Sequence, residues 1–262
     1  MARPIQVLRE QATALEAALA VCIAQPHRKA VHKLRTATRR MEAQLELLAQ
    51  IKGFPPHREQ AALFRQTLKS VRRLAGEVRD LDVLEQMLRA LRLPEHSHRP
   101  QLLQALEDRR HKRADALKKR LKKHIPALAQ VTEELFAALK PARERSLAVK
   151  DLLPIADAWY LRRTHGLKLT REEDLHSLRK AAKVSRYMAE TGLPSKQADA
   201  AAVRYNRLQQ SGGRWHDSLL LAQFARKTLG KNDALAQLTR DRAKSHHASF
   251  VRLLKPFRRP RG

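Results

Sequence analysis

The chain has 262 residues, 43% of them apolar, with only 8 glycines and 12 prolines, a composition that folds and that excludes a disordered or collagen-like polypeptide. Its 54 Lys and Arg against 26 Asp and Glu give a net charge of +28. No fold needs that charge, so a strongly anionic partner is expected: nucleic acid, an anionic membrane surface or inorganic polyphosphate. The single cysteine, Cys22, has no partner for an intrachain disulfide and reads as a small core residue of a reducing compartment.

Pro4 opens a periodic segment to about Ala24, with Ile5, Leu8, Leu15 and Leu19 inward. Glu10 and Glu16 interrupt its apolar pattern, so no signal peptide is expected, and no run approaches the ~20 apolar residues of a membrane span. A cytoplasmic protein without membrane insertion is the expectation. A second helix runs from about His27 to Ile51 and stops at Gly53, Pro55 and Pro56. On it Arg28, His32, Arg35 and Arg39 fall within an arc of roughly 60°, beside an apolar face of Val31, Leu34, Met41, Leu45 and Leu48. Either the stripe is a solvated surface or it is an anion site, because cations stacked a turn apart repel one another and a bound polyanion would relieve them.

A third helix is expected over about His57 to Ala75 with Leu63, Leu68 and Val71 inward. Arg65, Lys69 and Arg72 form a second basic stripe, which Arg79 would extend if the helix passed Gly76. Asp80 reads as the N-cap of a further helix, with Asp82 in its first turn. After Pro94 to Pro100 a helix from Gln101 to about His124 ends in the densest charge run, which holds Lys112 and Arg113. Two more helices are expected between Pro126 and Gly166, one containing VTEELFAAL and one DLLPIADAWYLRR. Strand patterns are absent, and the fold class is all-α.

From Leu175 the chain repeats its second helix. His176, Leu178, Arg179, Ala181, Lys183 and Glu190 answer His32, Leu34, Arg35, Ala37, Arg39 and Glu46, all 144 residues later. GEVRD at Gly76 to Asp80 is matched by GRWHD at Gly213 to Asp217, at an offset of 137. Two related halves follow, about 4–125 and 145–257, followed by a basic tail at 258–262.

These segments, VHKLRTATRR with LAGEVRDLDVL and LHSLRKAAKVSRY with GGRWHDSLLL, resemble the CHAD family, the conserved histidine α-helical domains. The resemblance covers residues 4 to 257 or thereabouts. It implies a single domain of two helical bundles related by a pseudo-two-fold axis, a basic central groove or cavity, and binding of inorganic polyphosphate, often at polyphosphate granules. Many members are joined to a triphosphatase domain, for which this chain has no room, so it resembles the stand-alone form, as a monomer or homodimer. Val184 stands where the first half has Arg40, His216 answers Arg79, and Leu219 answers Asp82. The second half is therefore expected to hold the polymer less firmly or with more dependence on pH.

The expected polyphosphate contacts are Arg28, His32, Arg35, Arg39, Arg40, Arg65, Lys69, Arg72 and Arg79 in the first half. In the second they are His176, Arg179, Lys183, Arg186, Tyr187 and His216, with Lys112, Arg113 and Arg242 at the rim. Each histidine is either a neutral packed ring or a donor that gains charge when a polyanion raises its pKa. The Tyr187 hydroxyl either donates to phosphate or caps a packed ring, and Glu46 and Glu190 are expected to orient arginines. Asp80 with Asp82, and the pair Glu173 and His176, suggest a metal, but neither set is complete in both halves, so no metal and no cofactor is expected. Catalytic motifs such as His-Glu-x-x-His or Gly-x-Ser-x-Gly are missing, and an enzyme is not expected. Nucleic acid is the alternative partner, through counterion release, though 2 Trp, 3 Tyr and 6 Phe supply few stacking platforms.

Overall fold

The computed structural model describes residues 1–94 and 96–258, so the expected basic tail lies outside the described residues but for residue 258. Among these residues the chain forms eight α-helices and two short 3-10 turns: α1 Pro4–Ala24, α2 Arg28–Leu48, α3 Arg58–Arg89, α4 Arg99–Leu139, α5 Val149–Thr164, α6 Glu172–Glu190, α7 Lys196–Leu229 and α8 Ala234–Leu254. The sole strand-like feature among them is a bridge in which Ala2 and Leu147 exchange backbone hydrogen bonds of 2.7 and 2.9 Å. It ties the first residues to the connection that leads into α5.

Local chemistry sets most of the helix starts. Pro4 occupies the first turn of α1. The His27 side chain accepts from the Ala30 N–H and caps α2. Glu172, Glu173 and Asp174 crowd the first turn of α6, where the helix dipole favours negative charge. Asp233 caps α8 by accepting from Leu235 and Ala236.

Two expected boundaries are absent, and both corrections have the same cause. Helix α3 runs for 32 residues straight through Gly76, and α4 runs for 41 residues straight through Pro126. A glycine inside a helix costs about 1 kcal/mol and a proline about 3 kcal/mol. Each buried leucine or valine returns about 1.5 to 3 kcal/mol. Val71, Leu74, Val78 and Leu81 are buried around Gly76, and Leu121, Leu128, Val131 and Leu135 around Pro126, so packing prevails. VTEELFAAL is accordingly the end of α4 and not a separate helix. Asp80, expected as an N-cap, lies in the middle of α3, and Asp217 lies in the middle of α7. Leu63, expected inward, is 43% exposed, because the buried seam runs through Ala61, Phe64, Leu68, Val71, Ala75 and Val78.

Helices α1 to α4 pack in sequence, and α1 also touches α4; α5 to α8 pack likewise, with α5 also against α7. The two groups meet where α2 lies on α6 and α3 on α7. These are the helices that carry the repeated motifs. One apolar cluster draws on all eight helices, and Cys22 is part of it, fully buried, with its thiol pushed up to about 12 by burial. A smaller cluster around Leu84, Leu88, Leu102, Leu106, Leu221 and Leu235 closes the far ends of α3, α4, α7 and α8. None of the described helices is long and apolar enough to cross a membrane.

Candidate anion-binding cleft

Where the two groups meet, α2, α3, α6 and α7 enclose a cleft of about 270 Å³. Helix α2 contributes His32, Arg35, Thr36 and Arg39, and α3 contributes Arg79 and Asp80. From α6 come Arg179, Lys180, Lys183, Val184 and Tyr187, and from α7 Gln209, Gly213 and Asp217. Gly212 makes room for Arg179: a Cβ there would lie 3.0 Å from Arg179 Cγ and 2.7 Å from the Phe250 ring, whereas one on Gly76 would be in ordinary contact with Arg35 Nε at 3.9 Å. The stem of Arg179 thus rests on bare helix backbone.

Asp80, displaced from its expected cap, and Asp217 face this cluster. Asp80 lies 3.7 Å from Arg35, and Arg179 is the strongest opposite charge acting on Asp217. Burial raises the pKa of both carboxyls, and the surrounding arginines pull the other way. Two carboxylates cannot neutralise what surrounds them. Burial and then the charges of Arg35, Arg39, Arg179 and Arg186 lower Lys183 to about 7. Arg179 falls to about 10, chiefly through burial, and stays charged at neutral pH.

The histidines are neutral at that pH. Burial, reinforced by nearby cations, brings His176 to about 4 and His216 to about 3, and it lowers His32 as well. The His176 and His216 rings pack against each other with centroids 4.7 Å apart, and His216 also meets Trp215 edge-on. His216 is therefore a packed ring behind the cleft lining, while His32 and the neighbours of His176 face the cleft itself.

Other expected contacts are committed to carboxylates. Arg28 is bound to Glu85 and lies 3.7 Å from Asp82, which Arg110 also holds at 2.6 Å. Asp82 is thereby turned away from Asp80, and the two share no site. Glu42 holds Arg39 at 3.0 Å and Arg72 at 2.7 Å, and Glu46 takes Arg65 at 3.0 Å and the Trp159 indole at 3.2 Å. Glu190 takes Arg40 at 2.9 Å and Arg186 at 3.3 Å, and both guanidiniums lie over the Tyr187 ring, 5.0 and 4.5 Å from its centroid. Glu46 and Glu190 do orient arginines, although the partners of Glu46 come from α3 and α5. The Tyr187 hydroxyl has no hydrogen bond to any described residue, and its ring lines the cleft. Arg113 pairs with Glu77 at 3.2 Å. Lys69, Lys112 and Arg242 are exposed and do not line the cleft.

Two participants escape the sequence reading. Lys180 lines the cleft, but its counterpart 144 residues earlier is Thr36, so the repeat hides it; its spacing of four from His176 was the available signal. Glu42 answers Arg186, a reversal of charge that no repeat comparison would select. Among the described residues no three His, Cys, Asp or Glu side chains cluster so as to hold a metal ion.

The model of the CHAD domain matches residues 6–226, and the chain belongs to the CHAD family. Its fold is similar to that in the crystal structure of the CHAD domain from the plant Ricinus communis, with a TM-score of 0.67 at 16% identity, covering 98% of this chain and 88% of the plant chain. No curated protein matches the sequence.

Proposed function

We propose that this chain is a non-catalytic module that binds inorganic polyphosphate in the cleft between its two halves, in the cytoplasm and at polyphosphate granules. One observation carries the reading: Arg35, Arg39, Arg79, Arg179, Lys180 and Lys183, from both halves, converge on a cavity that holds only Asp80 and Asp217 as opposing charges. Cations forced together in a partly desolvated site repel, and a polyanion relieves the repulsion along its whole length. A bound phosphate chain would raise Lys183 and His32 toward their ordinary values, so binding takes up protons. The repeated motifs and the meeting of α2 with α6 and of α3 with α7 support two halves related by an approximate two-fold axis.

The cleft favours a polymer without bases. Tyr187 is the one Phe, Tyr or Trp in the lining, and its ring is occupied by the guanidiniums of Arg40 and Arg186. A base would have to displace one of them to stack. The test is a competition titration at fixed salt between long-chain polyphosphate and single-stranded or duplex DNA, with pyrophosphate as the short control. Long-chain polyphosphate is expected to win, with a steep inverse salt dependence, and to leave phosphate unreleased when magnesium is added. Preference for DNA would replace this reading with a nucleic-acid-binding one, and equal affinity for pyrophosphate would remove the multivalent cleft.

A further inference from the structure

Helix α2 carries cations on two faces, and the cleft uses only one of them. At roughly 100° per residue, the cleft side chains His32, Arg35 and Arg39 centre about 100° around the helix from a second row, Lys29, Lys33 and Arg40. That second row forms one wall of a groove of about 830 Å³ between α2 and α1. The opposite wall is shallow because α1 presents Ala14, Ala17 and Ala18 there. No Asp or Glu lines this groove. Lys29 and Lys33 are exposed, and neither has an ion pair with any described residue.

The groove borders the cleft at two places. His32 and Thr36 line both, as a ridge one side chain wide. Further along α2, Arg40 lines the groove while its guanidinium lies over Tyr187, which lines the cleft. An acid-free trough carrying the unpaired ammonium groups of Lys29 and Lys33, parted from a cationic cleft by one shared ridge, suits the continuation of a polymer whose first segment is already bound.

We propose that the α1/α2 groove is a second subsite for the phosphate chain, which takes the part of a long polyphosphate that leaves the cleft over the His32 and Thr36 ridge. This rests on the polyphosphate reading of the cleft. Short oligophosphates fill the cleft alone, and longer chains gain the contacts of Lys29 and Lys33.

The experiment compares the unaltered chain with the double variant Lys29→Ala, Lys33→Ala, titrated with tripolyphosphate and with long-chain polyphosphate over a range of salt. Both lysines are exposed, so the fold is unaffected, and circular dichroism checks this. The variant is expected to bind tripolyphosphate as the unaltered chain does, to lose about tenfold in long-chain affinity, and to show a salt slope smaller by about 1.4, two contacts at about 0.7 each. Unchanged long-chain affinity and slope, or an equal loss for both ligands, overturns the second subsite while leaving the cleft standing. Failure of the unaltered chain to bind either phosphate overturns the proposed function itself, and the subsite with it.

Discussion

The two halves bring equivalent helices to one cleft but treat their charges differently. In the first half, carboxylates brace the cations: Glu42 holds Arg39 and Arg72, Glu46 holds Arg65, Glu85 holds Arg28, and Asp80 stands 3.7 Å from Arg35. In the second half Arg179, Lys180 and Lys183 have no ion pair within 4 Å among the described residues, and all three are shifted downward, Lys183 to about 7. The substitutions behind this contrast are visible at matched positions, where Thr36 becomes Lys180 and Glu42 becomes Arg186. Arg40, one reason to expect a firmer first half, is turned onto Glu190 and Tyr187. The difference teaches that a cation's value to an anion depends on what already neutralises it, and the second half holds the larger unmet charge.

The largest effect should separate the equivalent arginines. Arg179→Met is expected to weaken long-chain binding by about a hundredfold and Arg35→Met by about tenfold, since Asp80 stands 3.7 Å from Arg35 while no carboxylate among the described residues comes within 4 Å of Arg179. Titration calorimetry with the helical signal as a control measures both. Equal losses would erase the contrast between the halves.

A smaller effect follows from Lys183. Free Lys183 loses its proton above about 7, and a bound polyanion restores it, so affinity should fall severalfold as pH rises from about 7 to 9. Lys183→Met should flatten that profile. Stability of the free protein runs the other way: the unfolded chain binds more protons at this residue between about 7 and the ordinary lysine range, so Lys183 favours the fold increasingly as pH rises through that window. Thermal melts in the presence and absence of polyphosphate at pH 7 and 9 check both signs. The smallest effect is expected of Arg40→Ala, which should lower the melting temperature by breaking the tie to Glu190 and change short-chain affinity less than twofold. A loss as large as that of Arg35→Met would return Arg40 to the list of principal contacts.

The absence of strand patterns makes the all-α class legible in the sequence, and the repeat at His32 and His176 the central arginines, because periodicity on a helix survives translation into space. Partnership was less legible. Whether Arg28, Arg65 and Arg72 meet a ligand or a carboxylate depends on Glu85, Glu46 and Glu42, which cross between helices or stand on the opposite wall. Local propensity alone ends helices near Gly76 and Pro126, and the buried seam that runs beneath both residues carries the helices through. The same seam decides Asp80: four residues after Gly76, it reads as a cap only if the helix stops at the glycine.

Gly212, in the second copy of the motif, has a further result. Arg179 lies with its Cγ where a Cβ on Gly212 would be 3.0 Å away, so its aliphatic stem is confined against α7 before any ligand arrives. A long arginine side chain surrenders about 1.5 to 2 kcal/mol of rotamer freedom when it is fixed. For Arg179 that freedom is given up during folding, and a phosphate chain bound as proposed would meet a guanidinium already aimed. A lysine on the open surface, such as Lys33, must still be ordered by the ligand it holds.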